Sequence, residues 1–146
     1  SLGKDGKGTT PAPAMGSTDQ HSQLQLYLSG PKDKIFTMLT VERESTGDVI
    51  DVPENRPELA YINGKTLGDV VAAQQKATYE TLVHNRCPTR LIELTGLSER
   101  HFGALIMHFT LEIIFMSFLF EVNPFDQPAV EESKVLARKY LAGSEK

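Results

Sequence analysis

Gln127 and Lys134 stand seven residues apart near the C-terminal end of the sequence. On a helix that spacing is close to two turns, so both side chains project to one side. At about 100° per residue, Val130, Ala137 and Leu141 share that side, and the charged Glu131, Glu132, Arg138 and Lys139 lie elsewhere around the helix. Lys134 is thus expected at the margin of an apolar arc. By spacing alone such a lysine reads as one that snorkels at the edge of a core. His21 follows a helix-capping stretch, Ser17-Thr18-Asp19. Imidazole gives and takes a proton near neutral pH, although a lone histidine after a cap can equally be structural or merely exposed. His101 and His108 are also seven apart on one expected helix. No Cys, His or carboxylate cluster accompanies them, and a catalytic metal normally needs three protein ligands, so no metal site is expected. Asn63-Gly64-Lys65-Thr66 lacks the upstream glycine of a phosphate-binding P-loop.

The whole chain bounds these options. Its 146 residues are one domain's worth, and 40% are apolar, enough for a core. Fifteen basic and 19 acidic residues give a formal net charge of −4, with no Lys/Arg run. Neither nucleic acid nor an anionic membrane surface is an expected partner. Cys87 is a single cysteine and cannot form an internal disulfide, which favours a reducing compartment. The opening Gly/Lys-rich stretch has no apolar leader region. The absence of an initiator Met implies a start inside a longer protein. The longest apolar run, 102–120, holds His108 and Glu112 near its middle. It reads as a buried helix of a soluble protein rather than a membrane span.

Several elements must position these residues. Residues 11–16 could form a short strand, although two prolines oppose it. A helix is expected after the Ser17/Thr18 cap; the alternation of Leu24, Leu26 and Leu28 with Gln23, Gln25 and Tyr27 would by itself read as a strand. Residues 34–42 form a strand, 43–58 a loop marked by Gly47, Pro53 and Pro57, and 66–86 a long helix ended by Pro88. A short strand over 90–95, an apolar helix over 100–120 capped by Ser98, and a last helix over 127–141 complete the chain. Strands alternating with helices imply parallel pairing and an α/β layer fold. Three short strands fit part of a larger doubly wound domain.

The block Phe125-Asp126-Gln127-Pro128-Ala129-Val130-Glu131-Glu132-Ser133-Lys134 resembles the C-terminal signature of the phosphoglucose isomerase family. That signature runs Phe-Asp-Gln, any residue, Gly or Ala, Val, Glu, any two residues, Lys, and every fixed position is met. Gly16-Ser17-Thr18-Asp19-Gln20-His21 is similar to the family's Gly-x-x-x-Gln-His segment. Ser1-Leu2-Gly3-Lys4 is similar to its Glu-Ser-x-Gly-Lys segment, with the Glu falling just before Ser1. The three matches are in register over essentially the whole chain, corresponding to the last third of such an enzyme.

The resemblance implies a sugar-isomerase (SIS) type three-layer sandwich, with a parallel sheet flanked by helices and residues 1–146 forming an incomplete second SIS domain. It also favours the helical reading of the segment after His21. The implied reaction interconverts glucose 6-phosphate and fructose 6-phosphate. His21 and Lys134 would open the sugar ring, Gln127 would face the sugar, and the Glu before Ser1 would carry a proton between C1 and C2 through a cis-enediol. No cofactor or metal is implied. The phosphate-binding Ser/Thr loop and an Arg that steadies the enediolate would lie upstream, so the chain alone is expected to be inactive. A cytoplasmic homodimer, with the His supplied across the subunit boundary, is the implied assembly. Two alternatives are a non-catalytic SIS module that only binds sugar phosphates, which would have no need of a ring-opening pair, and a structural or dimerisation fragment made by truncation.

Overall fold

The computed structural model describes residues 2–143. In chain order these form α1 (Gln20–Ser29), β1 (Phe36–Val41), a 3-10 helix (Pro57–Ile62), α2 (Leu67–His84), β2 (Thr89–Leu94), α3 (Glu99–Phe120) and α4 (Pro128–Leu141). They fall into two compact units. One comprises Pro13–His101; the other joins the described residues up to Ala12 with those from Phe102 onward.

The Pro13–His101 unit is built around a β–α–β crossover. β1 and β2 pair in parallel, from Phe36 opposite Thr89 to Val41 opposite Leu94. Parallel neighbours need a long connection, and α2 supplies it, lying against β2. Its start is written locally. Thr66 and Asp69 form a capping box, with the Asp69 amide donating to Thr66 Oγ1 at 3.1 Å and the Thr66 amide to Asp69 Oδ2 at 2.8 Å. The other carboxylate oxygen of Asp69 accepts from the Ser45 amide at 2.9 Å, so one side chain ties the preceding loop to the helix. Gly68 is buried beneath that loop, where an added Cβ would overlap the Arg43 carbonyl oxygen. The helix ends at Asn85; Arg86 turns with φ 57°, and Pro88 prevents continuation.

Leu82 and Cys87 are the buried apolar side chains among the described residues, 3% and 5% exposed. The Cys87 thiol is free. The Tyr27 and Phe36 rings meet at 4.9 Å, which seats α1 on the head of β1. The apolar content is therefore ample for a core, yet little of it is enclosed. Leu39 on β1 remains 49% exposed, because two strands and the helices around them cannot cover both faces of a sheet.

The parallel α/β layer with flanking helices agrees with the expected fold class. Three local expectations differ. Residues 11–16 are not in a strand, so the described residues hold two strands rather than three; Pro11 and Pro13 withhold the amides that a ladder requires. The loop after β1 is more ordered than its turn residues suggest. Val49 bridges Thr66 in antiparallel fashion, and the 3-10 helix follows Arg56.

The third difference concerns α3, which is largely uncovered, with Phe115, Phe118 and Leu119 at 65%, 74% and 77% exposure. Its length and composition alone would suffice to cross a membrane. His108 and Glu112 pair at 3.6 Å on it. Its fully buried residue is the polar Ser117, whose hydroxyl donates to the Ile114 carbonyl at 2.6 Å.

Candidate active site

His21 lies in the first turn of α1, with its imidazole exposed and no hydrogen bond to a described residue. The turn beneath it is held from α2. Thr78 Oγ1 donates to the Gln20 side-chain oxygen at 3.0 Å, and Ser17 Oγ donates to the side-chain oxygen of Gln74 at 2.9 Å. Asp19 occupies the N-cap position expected of Ser17 or Thr18, and its carboxylate accepts the Met15 amide at 2.6 Å instead of capping the helix. Gln20 and Ser17 are thus engaged in tertiary bonds, beside an exposed imidazole.

The other unit holds Gln127 and Lys134. Gln127 sits at the N-cap of α4 with φ −141° and ψ 68°, outside the helix that Pro128 begins. Its direction is therefore set by the turn and not by the two-turn spacing to Lys134. Pro128 at the first helical position, Glu131 in the first turn and Arg138 and Lys139 in the last turn suit the helix dipole.

Lys134 is 53% exposed and pairs with Glu131, one turn back, at 2.6 Å. The expected separation of Lys134 from the acidic side of the helix is not observed, because residues three apart are neighbours on a helical surface.

A cavity of about 160 Å³ opens beside Gln127, lined by Gly3, Lys4, Gln127, Pro128, Ala129 and Val130. It brings two of the sequence-predicted segments together, the Gly3-Lys4 part of the N-terminal match and the start of the C-terminal signature; Ser1 lies outside the described residues. Lys134 is not among the lining residues.

Lys4, which lines this cavity, is bonded to the turn before α4. Lys4 Nζ donates to the Asp126 carboxylate, to the Asp126 carbonyl at 2.9 Å and to the Asn123 carbonyl. The Lys4 ammonium holds the Asp126 carboxyl below the usual carboxylate range. Lys7 Nζ donates to the Phe120 carbonyl at 2.6 Å.

Lys4 and Asp126 both occupy fixed positions of the matched patterns, but the sequence alone does not mark them as partners. Their separation of 122 residues hides the pairing. Gln20 is likewise a fixed residue of the Gln-His pair, but its partner Thr78 carries no motif. Among the described residues no three His, Cys, Asp or Glu side chains gather as metal ligands would.

Comparison with known proteins converges on the same family. The family model described as "Phosphoglucose isomerase" matches residues 53–146. "Probable glucose-6-phosphate isomerase" of Halobacterium salinarum is 41% identical over 99% of this chain and 34% of its own length. Glucose-6-phosphate isomerase of Rubrobacter xylanophilus is 42% identical over 92% of this chain and 31% of its own length. A hypothetical protein of Thermus thermophilus, known from a crystal structure, superposes with a TM-score of 0.87 at 38% identity, over 97% of this chain and 35% of that one. The chain spans about a third of the length of the relatives it matches. With the family model covering most of the sequence, the chain belongs to the phosphoglucose isomerase family.

Proposed function

We propose that this chain is the C-terminal part of an aldose–ketose isomerase, an incomplete second SIS domain, that interconverts glucose 6-phosphate and fructose 6-phosphate in glycolysis and gluconeogenesis. The observation that carries the proposal is the cavity shared by Gly3, Lys4 and Gln127. It is lined both by the Gly-Lys part of the N-terminal match and by the Gln of the C-terminal signature, which supports one site shared by the two motifs.

In this reading His21 and Lys134 open the cyclic sugar. The imidazole manages the proton of the ring oxygen, and the ammonium supports the charge that develops as the C–O bond breaks. Gln127 hydrogen-bonds the open chain. The Glu before Ser1 then removes a proton from one of the two carbons and returns it to the other through a cis-enediol, while a hydroxyl proton passes between O1 and O2. Proton transfer alone balances the reaction, so no redox cofactor is called for. His21 and Lys134 act on the same sugar in a homodimer, and the assembly works in the cytoplasm. The family membership and the exposure of both side chains support these assignments.

The test is a coupled assay on the longer enzyme carrying this chain, with fructose 6-phosphate as substrate. His21→Ala and Lys134→Ala should each lower kcat by about 10²–10⁴, the usual scale of lost acid–base assistance. Unaltered turnover in both folded variants would refute the assignment. Sugar-phosphate binding without turnover in the unsubstituted enzyme would indicate a binding module instead.

A further inference from the structure

Lys4 and Asp126 belong to the matched patterns described above, yet the chemistry just proposed uses neither. They meet across 122 residues of sequence. The Lys4 side chain is only 14% exposed, and its ammonium commits its donors to one short turn: the Asp126 carboxylate, the Asp126 carbonyl and the Asn123 carbonyl. The Asn123 side-chain oxygen accepts from the Phe125 amide at 3.0 Å, closing the same turn from within. Lys7 grips the Phe120 carbonyl where α3 ends. Gln127 is the next residue after Asp126, has non-helical dihedrals, and makes no side-chain capping bond. What aims it is therefore the turn that Lys4 holds.

We propose that Lys4 is a positioning residue: its ammonium clamps the 123–126 turn so that Gln127 is presented to the sugar at a set distance from the N-terminal segment that leads out of the catalytic base. This deepens the reading above and rests on its assignment of Gln127. A charge-assisted bond to a carboxylate plus two carbonyls defines direction as well as proximity. A neutral side chain of equal length would fill the space without holding the turn.

The experiment is a double-mutant cycle in the longer enzyme, read as KM and kcat for fructose 6-phosphate with thermal stability measured in parallel. Lys4→Met should raise KM or lower kcat by about tenfold, the scale of coupling between neighbouring residues. In a Gln127→Ala background the same substitution should have little further effect, because Lys4 acts through Gln127. A merely structural lysine would lower the melting temperature and multiply its kinetic loss with that of Gln127→Ala; that result overturns the proposal. If Gln127→Ala alone changes neither constant, the assignment of Gln127 fails, and the proposal fails with it. Asp126→Asn, which removes the charge but keeps the backbone acceptor, provides the same cycle should Lys4→Met not fold. It should show the same non-additivity in the same direction, and multiplicative losses there would overturn the proposal equally.

Discussion

Thr78 on α2 donates a 3.0 Å hydrogen bond to the side chain of Gln20, the residue immediately before His21. The bond sets the first turn of α1 against a helix 58 residues further along the chain. Thr78→Val keeps the shape and removes the donor, leaving the Gln20 oxygen to find another partner. The expected result is a loss of roughly tenfold in turnover, smaller than the 10²–10⁴ of removing an acid–base group outright. Exchange between the α and β anomers of fructose 6-phosphate, which requires ring opening and closing, should slow with it when followed by NMR. An unchanged anomer exchange rate in a folded variant would show that the bond does not govern His21.

Lys134→Ala should separate activity from stability. The lysine is exposed and its pairing with Glu131 lies on the surface, where such a pair contributes about 0.2–1 kcal/mol. Chemical denaturation of the variant is expected to show a loss of about 1 kcal/mol or less, while turnover drops by orders of magnitude. A large stability loss with proportionate activity loss would make Lys134 a packing residue.

The 146-residue chain expressed by itself is expected to show no isomerase activity and to self-associate. Both strands of its sheet are edge strands, and α3 presents Phe115, Phe118 and Leu119 largely uncovered. Unpaired edges and contiguous apolar surface favour association. Light scattering should report species larger than one chain. A coupled assay, with the preparation checked for host isomerase by mass spectrometry, should remain at background. Turnover that disappears with His21→Ala would place the base within these residues.

The α2 capping box should leave a signature in acid. The Thr66 amide above all, then the Ser45 amide, hold the Asp69 carboxyl below its ordinary value. A carboxyl depressed in the folded state stabilises fully above the unfolded value of about 3.9, and that stabilisation fades as pH falls through the folded value. Asp69→Asn should therefore lower the urea midpoint at neutral pH, with the difference from the unsubstituted chain shrinking below about pH 4. A difference independent of pH would mean that the carboxylate charge adds nothing. Thr66→Ala, which removes the partner cap, is expected to cost about 1 kcal/mol at neutral pH.

What the sequence determined by itself is local or carried by motif. Thr66 and Asp69 are three residues apart and cap α2 through bonds that span one turn. β1 and β2 follow from short runs rich in β-branched and apolar residues, and Pro128 starts α4 where a proline is best tolerated. The family was legible because long patterns around His21, Gln127 and Lys134 survive in the residues themselves. Only the tertiary structure decided the rest. A helical period placed Gln127 on α4, but the turn before Pro128 holds it outside the helix, since a residue at the N-cap obeys its loop. Apolar content predicted a buried α3, but burial depends on which surfaces meet, and this chain supplies few. The bonds from Lys4 to Asp126 and from Thr78 to Gln20 join residues 122 and 58 positions apart. No local propensity encodes them, because such contacts form only after the intervening chain has closed into its fold.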